Sequence, residues 1–362
     1  MKIFFLLPDL SAGGAERVCI TIARILMKNG FQVEFLNLGA PTGEMLTWIT
    51  PEFKLTSLGY NRVLSALPQL IRHMKLHPGD RYFASREHTN IVGLIAAKVA
   101  GNKIIVRLPN MPKNNLAGGR VSFKSRVLRW FNNRYLKTAQ TVIAQNEEMR
   151  LQLIEVYPSI KEKVVSINNP IDKEYVIKQG EGHSNPFDLN EKNFLAACTV
   201  DYRKGIDILM KAWPIVKKSI PNAHMYVAGR NSSEYAVKLM EEAKALHDFT
   251  FLGFQGNPYP YIKSCDVFVL SSRMEGFPNV VLEAMCFNKP IAATTCVDVI
   301  KDIVKDGENG YCCNIEQTED LAECMIKASK LKEIQKDYNL FNQEALLNCF
   351  KKVEPYDTIG YN

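Results

Sequence analysis

Strand-like and helical runs alternate through this chain in two successive series, and no other feature constrains its fold as tightly. Residues 3–7 read as extended, 15–28 as a helix with Val18, Ile22 and Leu26 on one face, and 31–38 as extended again. Residues 91–100 read as helical, and 103–107, 141–144 and 163–167 as extended. Between 173 and 192 the chain turns polar, with Gly180, Gly182, Ser184, Asn185 and Pro186, and reads as a linker. A second series follows. Residues 194–199, 223–228, 250–252 and 266–270 are strand-like; 206–217, 233–246 and 259–264 are helix-like. Alternation of this kind implies parallel sheets covered by helices on both faces. Two Rossmann-like α/β lobes with parallel sheets facing a cleft are expected, 1–172 and 193–340, with 341–362 a helix or tail crossing back to the first lobe.

Size agrees with two cores: 362 residues exceed what one hydrophobic core supports. No apolar run is long enough to span a bilayer. The opening run, Met1 to Asp9, has too short an apolar core for a signal peptide and reads as the first buried strand. Nine cysteines lie scattered without ligand spacing, which points to buried free thiols in a reducing compartment.

The densest chemistry lies between Arg273 and Met285. Glu275 and Glu283 stand eight positions apart, the first in a loop with Gly276, Phe277, Pro278 and Asn279, the second inside an apolar helix. A buried strand ending at Ser271–Ser272 precedes them. Strand, glycine-containing loop and helix start form the usual setting of a phosphate and ribose site in a parallel sheet. Pro278 suits the first helical turn, where its missing N–H is not needed. Glu283 can accept bonds from sugar hydroxyls. The bland alternative is a solvated glutamate on a loop and another on a helix face.

This segment resembles the donor-site signature of retaining GT-B glycosyltransferases, glycosyltransferase family 4 (group 1). The signature is a Glu, seven residues and a second Glu, as at Glu275 and Glu283. The resemblance covers most of the chain, most densely from about 249 to 311. It implies a GT-B architecture with an acceptor-binding first lobe and a nucleotide-sugar-binding second lobe. It also implies transfer of a sugar, with retention at the anomeric carbon, from a nucleotide diphosphate (UDP expected) to a glycan or lipid-linked hydroxyl. Bacterial-type surface polysaccharide, lipopolysaccharide or glycolipid assembly is the expected setting.

Other positions follow the same resemblance. Gly13 and Gly14, in the loop after the first strand, match a phosphate-approaching Gly-Gly turn. Lys204, before Gly205, matches the family's Lys-Gly and is expected to offset diphosphate charge. The family's earlier arginine is absent: Thr199 stands nearest, and Arg203 is the expected substitute. Arg230 and Phe254 lie at strand ends that flank the nucleobase in the family. The family's first-lobe histidine is missing from 105–112; Asn110 is expected in its space, with Arg107 and His88 as further acceptor-side groups. The resemblance thus gives Glu275, Lys204 and Asn110 catalytic roles. Gly276, Phe277, Pro278, Asn279 and Glu283 complete the donor site. No cofactor and no metal are expected, since side chains and helix ends can neutralise the leaving group. A non-catalytic sugar-nucleotide-binding subunit and a nucleotide-sugar epimerase are the alternatives.

Charge adds a separate reading. Between Glu87 and Glu147 there is no Asp or Glu but ten Lys or Arg, which more than accounts for the net charge of +7. Residues 121–137 place Phe123, Val127, Phe131 and Tyr135 four apart, interleaved with Lys124, Arg126, Arg129, Arg134 and Lys137. A basic amphipathic helix reads as a membrane-surface element; the alternative is a helix that packs its apolar face inward. A cytoplasmic protein held peripherally on the inner face of the membrane is expected. No nucleic-acid-binding motif accompanies the basic residues.

Overall fold

The computed structural model describes all residues except 12, 50–51, 110, 112–122, 332–333, 335–339 and 352–362, and the side chains of 123–125. Two compact units emerge, Met1–Pro170 with Phe341–Asn362, and Ile171–Leu340.

The first unit is built on seven parallel strands: β1 (Lys2–Leu7), β2 (Gln32–Asn37), β3 (Lys54–Ser57), β4 (Arg81–Ala84), β5 (Lys103–Arg107), β6 (Thr141–Ala144) and β7 (Val164–Ser166). Their order is β3-β2-β1-β4-β5-β6-β7. Alternate residues of β1 feed two separate cores, Ile3, Phe5 and Leu7 on one face and Phe4 and Leu6 on the other. That is why the strand is apolar without interruption. The helix Gln343–Phe350 belongs to this unit. Phe350 packs 5.9 Å from Phe83, and the carbonyl of Cys349 accepts bonds from Arg81 (3.3 Å) and Gln140 (3.2 Å).

The second unit has six parallel strands: β8 (Lys192–Ala197), β9 (Ala223–Ala228), β10 (Phe249–Gly253), β11 (Val267–Leu270), β12 (Ile291–Thr294) and β13 (Gly310–Cys313). Their order is β10-β9-β8-β11-β12-β13. Both sheets reverse direction of growth once, beside β1 and beside β8. In open parallel sheets the loops leaving the strands at such a switch point form a ligand crevice.

The stretch 173–192, expected as a linker, is part of the second unit. It contains a helix, Lys173–Gly180, capped by the Asp172 side chain bonding the Tyr175 amide at 3.0 Å. Gly180 packs closely there: a Cβ would lie 2.7 Å from the outer edge of the Phe287 ring, which would have to move to admit it. A glycine that read as a chain-breaker is a close-packing residue. No helix among the described residues is long and apolar enough to cross a membrane.

Candidate functional site

In the second unit, the loops after β8 and β11 flank the switch point and are bonded to each other. The Arg203 carbonyl accepts from the amide of Arg273 (2.7 Å), and the Lys204 carbonyl accepts from Ser271 Oγ (2.9 Å). Gly205 makes this approach possible. Its φ is +62°, and a Cβ would lie 2.0 Å from the Ser271 carbonyl oxygen. The stitched backbones leave Lys204 Nζ 2.7 Å from Glu275 Oε1, and Ser272 Oγ donates to the same oxygen at 2.7 Å. Burial disfavours the Lys204 ammonium, but the facing Glu275 carboxylate outweighs it and holds the pKa above its ordinary value. An ammonium has three hydrogens to donate, so the Glu275 bond leaves capacity for an anionic ligand.

Glu275 and Gly276 lie in the loop, with Phe277 buried beneath it. Pro278 stands at the cap position just before the helix Asn279–Met285, not inside its first turn. Glu283 is on that helix, buried, with the Tyr259 hydroxyl donating to its Oε1 at 3.4 Å. The two glutamates therefore sit in one loop-helix element, each held by a partner from elsewhere in the unit. Arg230 lies over the ring of Phe254, 4.6 Å from its centroid, at the ends of β9 and β10. This is a cation–π contact beside an exposed aromatic face.

Arg203 differs from expectation. Its guanidinium pairs with Asp201 (2.7 Å), which raises its pKa, and it faces solvent. The more consequential arginine is Arg273, which sequence reasoning passed over. It is buried and takes both oxygens of Asp207 at 2.7 Å, with Glu316 on its other edge. Its Nη1 also bonds the Tyr202 carbonyl (2.8 Å), and the Tyr202 ring lies 4.1 Å away. Hydrogen bonds donated to Asp207 and Glu316 raise its pKa despite burial. This clamp ties the two site loops together. An arginine just after a strand-like apolar run and beside a glycine-containing loop was the available signal, but its partners are 66 and 43 residues distant.

In the first unit, Gly13 caps the helix Gly14–Lys28. The loop is not lined by amides alone. Glu16, in the first helical turn, is buried and takes Arg86 Nε at 2.5 Å, while Asp9 accepts from the Ser11 amide at 2.8 Å. Glu16 Oε2 is buried with no hydrogen-bond partner among the described residues, and a Cβ on Gly13 would lie 2.5 Å from it. The helix's positive end already faces its own carboxylate, so the expected anion cradle of Gly13 and Gly14 is altered to a mixed carboxylate–guanidinium setting.

Arg107 lies deeper than an acceptor contact would. It is fully buried at the end of β5, with Nη1 on Ser85 (2.8 Å) and Nη2 on Asn169 (2.5 Å), and burial pushes its pKa down to about 10. It braces the strand ends. His88 is exposed in the first turn of the helix Glu87–Ala100. Asn110 lies outside the described residues.

The basic segment forms a helix, Phe123–Tyr135, followed by a turn, Leu136–Thr138. Asn132 and Leu136 are buried, whereas Arg126, Arg129, Arg134 and Lys137 are exposed, as are Val127 and, at 61%, Trp130. The side chain of Lys124 lies outside the described residues. One edge packs inward; a basic edge with a tryptophan faces out.

Comparison with known proteins agrees with this geometry. Residues 12–175 match the Glycosyltransferase Family 4 model, and residues 181–344 match the model described as Glycosyl transferases group 1. An uncharacterized glycosyltransferase of Haemophilus influenzae is 26% identical, covering 88% of each chain. A Campylobacter jejuni protein is 22% identical over 93% of each chain. It is an N-acetylgalactosamine-N,N'-diacetylbacillosaminyl-diphospho-undecaprenol 4-alpha-N-acetylgalactosaminyltransferase. Among solved structures, Anabaena HepE in complex with UDP and glucose superposes with a TM-score of 0.74 at 20% identity, covering 91% of this chain and 90% of that one. Its two-domain, parallel-sheet GT-B fold is the fold found here.

Proposed function

The chain is a group 1 glycosyltransferase, and from that premise we propose that it moves a sugar from UDP to a glycan or lipid-linked hydroxyl with retention at the anomeric carbon. The observation that carries this reading is the Lys204–Glu275 pair, 2.7 Å apart at the switch point of the second sheet. When the bond from the anomeric carbon to the diphosphate breaks, the nucleotide departs with the electron pair and gains negative charge. An ammonium fixed before the event stabilises that charge with little reorganisation. Lys204 takes this role, and Glu275 holds it in place while presenting its second oxygen to the donor sugar. Glu283 receives the ribose hydroxyls. The loop amides of Gly276 and Phe277 and the side chain of Asn279 line the same element. Arg230 and Phe254 flank the base. With charge met by side chains, the step needs no metal. The HepE complex with UDP and glucose supports the donor class, and the C. jejuni relative's diphospho-undecaprenol acceptor supports a lipid-linked one.

In the first unit, the Glu16–Arg86 pair and the exposed His88 offer hydrogen bonds to an acceptor's hydroxyls. The basic edge of the Phe123–Tyr135 helix suits an anionic membrane surface, where each cation contributes on the order of 1 kcal/mol. That placement brings a lipid-linked acceptor within reach.

The test is a screen of UDP- and GDP-sugars against undecaprenyl-diphosphate-linked and free glycan acceptors. UDP release and the anomeric configuration of the product are measured for wild type and Glu275→Ala. Transfer by wild type, α-product from an α-donor and loss in Glu275→Ala are expected. Binding of UDP without release from any UDP-sugar across the panel would identify a binding subunit instead, and an inverted product would remove the retaining assignment.

A further inference from the structure

The ends of β8, β9 and β10 opposite the donor loops hold a second cluster of chemistry. Glu191 immediately precedes β8, His224 is the second residue of β9, and Asp248 immediately precedes β10. Strand register forces them together: Asn193 pairs with His224, Met225 with Phe249, and the Met225 amide donates to the Asp248 carbonyl at 2.8 Å. One ligand atom from each of the three, His224 nitrogen and two carboxylate oxygens, lies within 4.8 Å of the other two.

The histidine is held as a ligand is held. Its ring stacks on Tyr226 with centroids 4.2 Å apart and planes 7° from parallel, and its Nε2 bonds Thr250 Oγ1 at 2.9 Å. An outer nitrogen bonded in this way orients the inner one. Nδ1 is buried and lies 3.0 Å from Glu191 Oε2, yet it makes no hydrogen bond of acceptable geometry among the described residues. With Nε2–H bonded outward, the Nδ1 lone pair is left facing Glu191 Oε2, which also accepts from the Tyr226 hydroxyl at 3.4 Å, and a cation between nitrogen and oxygen would satisfy both. Two ligands about 2.0–2.2 Å from a tetrahedral zinc stand roughly 3.3 Å apart, close to the separation found. Asp248 is the only one of the three in a left-handed conformation, φ +54°, a backbone state that concentrates at ligand clamps. At present its Oδ2 is engaged by Lys217.

We propose that Glu191, His224 and Asp248 form a structural site for a divalent transition ion, Zn2+ in particular. The cation displaces Lys217 from Asp248 and pins the starts of three adjacent strands. A mixed imidazole–carboxylate set favours zinc over Mg2+ or Ca2+, which prefer oxygen throughout. The site lies at the opposite strand ends from Lys204 and Glu275, so it acts on the stability of this unit and stands independently of the transfer reaction.

The test uses the full chain, stripped with chelator and titrated with ZnCl2 by calorimetry, and with Co2+ followed by visible absorption. One saturable equivalent is expected, with d–d bands and no thiolate-to-cobalt charge transfer, since the nine free cysteines are the competing binders. His224→Asn and Glu191→Gln should each weaken binding by at least about tenfold, and Lys217→Met should strengthen it. Asp248→Asn, at an exposed position, carries the test if His224→Asn does not fold. No saturable binding by wild type, a thiolate spectrum, or equal affinity in His224→Asn and Asp248→Asn would overturn the assignment.

Discussion

Lys204 Nζ lies 2.7 Å from Glu275 Oε1, although the two residues are 71 positions apart in the chain. Both side chains are mostly buried, 20% and 12% exposed. The pair exists because two loop backbones are bonded to each other beneath it. A charge pair so anchored is preorganised, and its removal should be felt in turnover before it is felt in folding.

Lys204→Met and Glu275→Gln should each lower kcat/KM by about 10² to 10³, the range seen when one preorganised charge partner is removed from a transition state. Because each holds the other, the double variant should lose much less than the product of the two losses. Steady-state kinetics with a UDP-sugar checks this. Multiplicative losses would mean that the two act separately.

Gly205→Ala should be damaging out of proportion to one methyl group. The site requires φ +62° and leaves 2.0 Å between a Cβ and the Ser271 carbonyl oxygen. Left-handed strain alone is worth about 1–3 kcal/mol for a non-glycine residue, and the clash adds to it. Chemical denaturation should show at least that loss, with activity falling further as the Lys204 loop lifts. A variant as stable and active as wild type would show that the loops are not locked here.

Arg273→Met leaves Asp207 and Glu316 without their shared cation. Losing one partner of a buried ion pair costs about 3–5 kcal/mol, and partial exposure of both carboxylates brings the expectation to about 2–3 kcal/mol. Arg273→Lys should recover little, because a single ammonium cannot hold both Asp207 oxygens in a fork. Urea unfolding of both variants measures the difference. Full rescue by lysine would mean that charge alone, and not the fork, matters.

His73 gives the first unit an acid-sensitive point. Burial, helped by the neighbouring His77, pushes its pKa down to about 4 from an ordinary 6.5. Its Nδ1 lies 3.1 Å from the Tyr82 hydroxyl, and its ring stands edge-on to Phe4. The unfolded chain therefore binds a proton that the folded chain refuses between those two values. Stability is full above about pH 6.5 and falls as pH drops toward about pH 4, by on the order of 1–2 kcal/mol after discounting for partial exposure. His73→Asn should flatten the pH dependence of the thermal midpoint over that window. An unchanged slope would assign the acid loss elsewhere.

Replacing Arg126, Arg129 and Arg134 with Glu should release the protein from phosphatidylserine-containing liposomes while leaving transfer to a water-soluble acceptor intact. All three are exposed beside Trp130, and each contributes on the order of 1 kcal/mol at an anionic surface. Co-sedimentation at low and high salt reads the effect. Equal binding by the variant, or no binding by wild type, would remove the proposed membrane role of this helix.

The loop-helix element that carries both glutamates was legible in sequence because its parts are local. β11, the loop with Glu275 and the helix with Glu283 occupy one short stretch, and their order dictates their geometry. Long apolar strands such as β1 and β8 were equally plain. Four strands were not. β3 is four residues at a sheet edge with alternating exposure, β4 opens on Arg81, β12 is Ala-rich, and β13 carries Gly310 and Cys313. Each borrows its conformation from neighbours already in place, since strand propensity yields to packing context. The polar 173–192 stretch misled for the related reason that Gly180 there packs against Phe287 inside a helix.

From the linear chain alone came the βα alternation, the glycine-containing loop and the two glutamates, because hydrophobic period and turn chemistry act over a few residues. Tertiary structure decided which side chains meet. Lys204 with Glu275, Arg273 with Asp207 and Glu316, Arg107 with Ser85 and Asn169, and Glu191 with His224 and Asp248 are all pairings across strands or distant loops. Sheet order and register bring these groups together, and neither is written in any window short enough to be read along the chain.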